Sequence, residues 1–282
     1  MDKLLYVTDE ELQSQLAPKC DLLIHIGLDS FQYAVINNGF SKLMLLAEYS
    51  RAEDRTGKDS LGDIKELPEF HKEFKYPFNR IIISYESSNF TLIPSELFSE
   101  DSIKFYQSYL KSSESDEVLV SKTADSKIRS VSLIASELKN AFVTSISKPL
   151  IYDDPSSFIN AIMHYNNGAS TKLFVDIQKR HTRIASLRNN ELLFYNLFET
   201  ANSDEVLYYL LGLSSQFALD NSNLKLILSG NIMEGDELHQ KLEQAFSALS
   251  FADSASFVHI PDSFRNTPSH RYFRLISLLK CV

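Results

Sequence analysis

The sequence predicts an α/β protein made of two similar halves, each a mixed sheet covered by helices, and three observations lead there. Apolar residues make up 44% of a chain of 282, enough to bury a full core without metal or disulfide staples. Short β-rich runs bounded by turn formers alternate with segments of helical periodicity. The order of those runs also repeats: an offset of 151 residues pairs Leu22 with Leu173, Ile26 with Ile177, Ala34 with Ala185, Asn38 with Asn189, Leu46 with Leu197 and Glu48 with Glu199. An offset near half the chain indicates two copies of one supersecondary unit, because a solenoid would show shorter periods. The expected domains are 1–148 and 149–282, with the pattern restarting at Lys148-Pro149.

In the first half, LLIHIGL, FQYAVI and LMLLA between Asp21 and Ser50 read as three strands joined by tight turns at Asp29-Ser30 and Asn37-Asn38-Gly39. Residues 51–74 are charge-dense and broken by Gly57 and Gly62, so they read as an exposed insertion with a short helix from Asp63 to Phe74. A strand at Arg80 to Ser84 and an extended FTLIP segment follow. Ser95 is placed to cap a helix carrying Leu97, Phe98, Phe105, Tyr106 and Tyr109. After a Ser-rich acidic turn from Lys111 to Glu117, EVLVS and KIRSVSLI form a hairpin about TADS, and ASELKNAFV closes the half as a helix.

The second half opens on a helix capped by Asp154, with Pro155 in its first turn and a stop at Asn166-Asn167-Gly168. KLFVDIQ, TRIASLR and ELLFYNLFE repeat the three-strand pattern, with Asn189-Asn190 as the second turn. A helix from about Ser203 to Leu219 begins with Asn202 and Glu205 spaced as a capping pair, and the short buried strand LKLILSG follows. The last helices carry Leu238, Leu242, Ala245, Phe246 and Leu249, then run from Tyr272 to Leu279.

Charge and motifs narrow the function. With 28 basic and 37 acidic residues the formal charge is −9, which repels a phosphate backbone and argues against nucleic acid as a partner. Acidic residues interrupt the amino terminus where a secretory signal needs an apolar stretch, and no apolar run is long enough to cross a membrane. Two cysteines, Cys20 and Cys281, are too few for a secreted disulfide framework, so the expectation is a cytoplasmic protein that docks, at most, on a membrane complex. The seven histidines are scattered without HExxH or cysteine partners, and no metal site is expected. GxSxG, GxGxxG and GxxxxGK are all absent, which removes serine hydrolases, Rossmann dehydrogenases and P-loop NTPases. The 19 Phe and 13 Tyr residues fall at strand and helix spacing, as core residues do.

A three-stranded meander followed by helix, strand and helix, present twice, resembles the ribonuclease H-like fold as duplicated in the actin-like ATPase superfamily. HIGLDSFQYAV, NFTLIPSELF and KLFVDIQKRHTRIA carry the resemblance. They are similar to the actin-like proteins of bacterial cell division and pilus assembly, and most to an uncharacterised actin-like family of Bacteroides-type bacteria. The resemblance implies that the first turns of the two hairpins would clamp phosphates across a cleft, with strand-end aspartates holding magnesium.

Residue by residue, that site is half kept. Gly27, Asp176, Ser229 and Gly230 match it: Asp176 as the catalytic candidate that orients water, the other three as nucleotide-binding candidates. His25 stands where an aspartate is expected, and imidazole is a poor ligand for magnesium. Asp29 puts a carboxylate in the phosphate turn, Gln178 replaces a glycine, and Asn231 replaces another beside LILSG. The leading expectation is a non-catalytic actin-like module for protein interaction or structure, dimerising or docking on a partner, with nucleotide binding weakened or lost and no cofactor. The alternative is an ATP-dependent switch that uses magnesium-ATP. A third reading has Lys179, Arg180 and Arg183 gripping a small anionic ligand, against the plainer view of these residues as a solvated hairpin face.

Overall fold

The structure, a computed structural model, describes residues 2–50, 72–110, 112–113, 115–146, 148–166 and 170–281. The expected charged insertion lies outside the described residues up to residue 71; Lys72–Lys75 form a single 3-10 turn. The stop expected at Asn167-Gly168, and parts of the turn after Lys111, also lie outside them.

The first strands are β1 (Asp2–Thr8), β2 (Cys20–Ile26), β3 (Ser30–Asn37), β4 (Lys42–Ser50) and β5 (Arg80–Tyr85). A smaller layer follows with β6 (Phe90–Pro94), α1 (Ile103–Tyr109), β7 (Asp116–Lys122), β8 (Ile128–Ala135) and α2 (Ser136–Ser145). Then come β9 (Leu150–Asp153) and α3 (Asp154–Tyr165). The six-stranded sheet runs β1-β4-β3-β2-β5-β9, and β6-β8-β7 form a separate three-stranded sheet. The later elements are β10 (Lys172–Ile177), β11 (His181–Arg188), β12 (Glu191–Glu199), α4 (Ser203–Gln216), β13 (Lys225–Gly230), α5 (Glu237–Ala245), β14 (Ala248–Phe251) and α6 (Phe273–Ile276). Their sheet runs β12-β11-β10-β13-β14.

Packing divides the chain into two compact units, one of Met1–Asn160, Phe257–Asn266 and Leu275–Val282, the other of Ala161–Ser256 and Thr267–Arg274. In the first, Leu22, Ile24 and Ile26 alternate along β2 and pack with Phe31, Tyr33 and Val35 of β3, Ile81 and Ile83 of β5, and Leu138 and Phe142 of α2. In the second, Leu173, Val175 and Ile177 of β10 pack with Leu226 and Leu228 of β13 and with Val206, Leu210 and Leu213 of α4. Both faces of β2 are buried, as expected for a strand near the middle of a covered sheet.

The same topology occurs in both units. β2 and β3 pair antiparallel with Leu22 opposite Val35 and His25 opposite Gln32; β10 and β11 pair with Leu173 opposite Ser186 and Asp176 opposite Arg183, all at the offset of 151. Next to them β5 and β9, and β13 and β14, add in parallel. Beyond the second turn the constant offset fails. Gln32 faces Glu48, but Arg183 faces Leu197, because the turn Asn189-Asn190 is two residues shorter than the loop between Asn37 and Lys42. Leu197 is therefore the pairing equivalent of Glu48, and the sequence match of Glu48 with Glu199 is not a structural one.

Four local readings change. Ser95 opens a short 3-10 turn (Ser95–Leu97), and the helix begins only at Ile103. Asp153, not Asp154, caps α3 by accepting from the backbone N–H of Ser156 at 3.3 Å. Helical spacing carries on past Ala245, but Phe246 turns extended and Leu249 lies in β14 instead of the helix. The carboxy-terminal stretch is α6 flanked by 3-10 turns, not one helix from Tyr272 to Leu279. Strands β1 and β9 were not anticipated; β9 has four residues, too few for alternation to show.

The capping pair of α4 forms as its spacing indicates. Asn202 Oδ1 accepts from Glu205 N at 3.0 Å, and Glu205 Oε2 accepts from Ala201 N at 2.7 Å. Asn202→Ala is expected to lower the unfolding free energy by about 1 kcal/mol, read as a shifted urea midpoint at unchanged slope.

Candidate functional site

In the second unit, strand pairing sets three side chains in a row. Asp176 of β10 lies opposite Arg183 of β11 on one side and Ser229 of β13 on the other, and directly opposed residues share a face of the sheet. Arg183 Nη1 reaches Asp176 Oδ2 at 2.8 Å and Ser229 Oγ donates to Asp176 Oδ1 at 2.9 Å. Gln178 Nε2 donates to Oδ2 at 3.0 Å, and Arg274 Nε on α6 approaches to 3.8 Å. All of these side chains are buried. Burial by itself would raise the Asp176 carboxyl, but the charges of Arg274 and Arg183, with hydrogen bonds from Gln178 and Ser229, outweigh it and hold the group below the usual carboxylate range.

Arg183 therefore is not part of a solvated cationic face. Lys179 and Arg180 are exposed in the turn, whereas Arg183 is fully buried against Asp176. The sequence shows these cations as one run, but β alternation sends Arg183 inward. The proposed three-residue anion grip loses this member.

Gly230 meets a steric demand. It has φ +82°, and a Cβ there would lie 2.1 Å from the carbonyl oxygen of Ile177. Only glycine fits this close approach of β13 to β10. Asn231 N then bonds to the same carbonyl at 2.7 Å.

In the first unit the equivalent turn is just as tight: Gly27 N donates to Ser30 O at 2.8 Å, as Gln178 N does to His181 O at 2.9 Å. A Cβ on Gly27 would sit 2.9 Å from Ser30 Oγ and 3.2 Å from both Glu86 Oε2 and His25 Nε2. His25 at the end of β2, Glu86 just after β5 and Asp154 at the start of α3 converge there, with side chains 0%, 1% and 2% exposed. His25 Nε2 lies 3.6 Å from Glu86 Oε2, and Nδ1 lies 3.9 Å from Asp154 Oδ1. One ligand atom from each lies within 4.8 Å of the others, the separation at which a metal ion can be held. Asp29 is half-buried in the same turn. Sequence reasoning singled out His25 but missed Glu86, which no motif marks, and read Asp154 only as a cap.

Asp176, Ser229 and Gly230 are thus brought together in the second unit, and Gly27 stands in the first with His25. The two cysteines are buried thiols, pushed up by burial to about 11 for Cys20 and about 12 for Cys281, well out of the reactive range. Among the described residues no helix is long and apolar enough to cross a membrane.

This topology is that of the actin-like ATPase fold. A Bacteroides thetaiotaomicron VPI-5482 protein with actin-like ATPase fold and unknown function superposes with a TM-score of 0.78 at 18% identity, over 95% of this chain and 98% of that one. The PilM-PilN type IV pilus biogenesis complex is similar at TM-score 0.59 and 12% identity, over 93% of this chain and 98% of that one. The ethanolamine utilization protein EutJ from Carboxydothermus hydrogenoformans gives 0.52 at 10% identity, over 98% and 93%. The chain belongs to the family described as protein of unknown function, DUF3822, whose profile matches residues 9–249. No curated protein matches it by sequence.

Two predictions follow from the Asp176 cluster. Asp176→Asn removes the charge that balances two buried guanidinium groups, so stability at pH 7 should fall by about 3 kcal/mol or more. Because the native carboxyl titrates below its unfolded value of about 4, its contribution is complete above that value and is lost as pH falls through the native one. Urea unfolding of parent and variant should therefore differ widely at pH 7 and converge toward pH 2. Separately, Gly230→Ala should destabilise by about 1–3 kcal/mol through its positive φ alone, with the Ile177 clash adding to that.

Proposed function

We propose that the chain is a non-catalytic actin-like protein, a protein-interaction or structural module in which nucleotide binding is weakened or lost. The observation that carries this reading is the Asp176 carboxylate, both of whose oxygens already accept hydrogen bonds, from Arg183 and Gln178 on one and Ser229 on the other. A carboxylate that orients water on magnesium needs an accessible oxygen, and a guanidinium at 2.8 Å repels a divalent ion from the same place. In the first unit, His25 supplies a nitrogen where magnesium needs a hard oxygen donor.

We read the two halves, 1–148 and 149–282, as copies of one ribonuclease H-like unit, supported by the matching order β4-β3-β2-β5-β9 and β12-β11-β10-β13-β14, with β1 extra in the first sheet and β9 at residues 150–153, and by matched register through the first hairpin. Packing units and duplicated units differ because β9 and two carboxy-terminal stretches pack with the first core. The interaction role is supported by Phe105 and Tyr109, which lie one turn apart on α1 and are 68% and 67% exposed. The similar PilM structure is of a complex with PilN, which makes a protein partner a reasonable counterpart; a second copy of this chain is the other. A cytoplasmic location belongs to the same reading.

The alternative is a magnesium-ATP switch, favoured by the retained Gly27 turn and by Gly230. Calorimetric titration of the protein with magnesium-ATP separates the two. The expected result is no binding tighter than about 100 μM, equivalent to about −5.5 kcal/mol; a tighter constant for the parent protein overturns the reading in favour of the switch.

A further inference from the structure

We propose that His25, Glu86 and Asp154 form a site for a divalent transition-metal ion, with zinc the ion its donors suit best, inside the first unit and without any nucleotide. The inference stands apart from the nucleotide question, since its ligands come from protein side chains alone.

Topology delivers the donors. β2, β5 and β9 are three adjacent parallel-running strands, and His25, Glu86 and Asp154 sit at or just past their carboxyl ends, where open α/β sheets place ligands. The backbone fixes each one: His25 is held in register between Gln32 and Ser84, Glu86 N donates to Ile26 O at 2.9 Å, Leu28 N donates to Glu86 Oε2 at 3.4 Å, and Asp154 opens a twelve-residue helix.

Gly27 borders the same donors. A Cβ there would lie 2.9 Å from Ser30 Oγ and 3.2 Å from both His25 Nε2 and Glu86 Oε2, so no side chain comes between the turn and the two donor atoms. The turn does not need glycine for its conformation: Gln178 holds the equivalent place with the same backbone bond, and Gly27 has no positive φ. Glycine here keeps a side chain away from Ser30 Oγ and from the two donor atoms alike.

Charge and donor type select the ion. Two carboxylates and an imidazole are donors that a divalent cation can bind, and buried charges are stable when paired or bound to metal. One nitrogen and two oxygens suit zinc at bonds of about 2.0–2.2 Å, with the fourth position of the ion left to a non-protein ligand. Magnesium, which takes oxygen donors in octahedral order, is selected against. Tetrahedral donors at those bond lengths lie about 3.4 Å apart, so separations of up to 4.8 Å close by a movement of about 1.4 Å, within reach of carboxylate rotation.

The test is calorimetric titration of the chelator-treated full chain with zinc chloride, paired with cobalt(II) substitution followed in the visible spectrum. The expected result is one equivalent bound with Kd of about 1 μM or tighter, undisturbed by millimolar magnesium, and cobalt bands of a four-coordinate site. His25→Gln, Glu86→Gln and Asp154→Asn should each weaken zinc at least about tenfold, with circular dichroism confirming the fold; if one variant fails to fold, the other two decide. His239→Ala is the control for the His239–Glu243 pair on α5, a buried imidazole beside an exposed carboxylate, and should bind as the parent does. Less than one equivalent, parent-like affinity in the folded ligand variants, or binding lost in His239→Ala overturns the proposal.

Discussion

The pairing register of the two first hairpins is the constraint on which both sites rest. Each hairpin turns through a three-residue loop closed by one backbone bond, Gly27 to Ser30 in one and Gln178 to His181 in the other. That bond decides which residues oppose each other, and a slip of one would send every side chain to the wrong face. Asp176 meets Arg183, and His25 meets Gln32, because the turns close where they do. The neighbouring parallel strands then complete each row with Ser229 or Ser84.

On this shared frame the two units have filled the strand-end position with different chemistry. The second unit has an acid wrapped by two guanidinium groups, an amide and a hydroxyl, a buried cluster in which loss of one member leaves charge stranded. The first has an imidazole between two carboxylates, next to a glycine. Equivalent backbone positions thus carry an acid paired with arginines in one unit and converging donor atoms in the other. Fold similarity at 18% identity gives the frame and is silent on this difference.

Much of the architecture was legible because both hairpins, α4 with its Asn202 cap, and the strand at LKLILSG are written in local patterns of alternation, period and capping. The failures are equally local in cause. The period of α5 runs on into Leu249, so a parallel edge strand looked like a helix turn. Asp153 and Asp154 are adjacent carboxylates, and only the helix start decides which of them caps. The constant offset broke at a turn two residues shorter, a difference invisible while the apolar pattern still matched.

By itself the sequence determined the α/β class, the two matching meanders and the altered positions His25, Gln178 and Asn231, since periodicity, turn chemistry and residue type are local properties of a chain. Only the tertiary structure decided what those positions touch. Arg183 belongs to Asp176 and not to a solvent-facing patch, Gly230 answers to a carbonyl across a strand, and Glu86 and Asp154 come to His25 from 61 and 129 residues away. Contacts between residues so distant depend on which strands lie side by side, and that order is set by packing of the whole sheet.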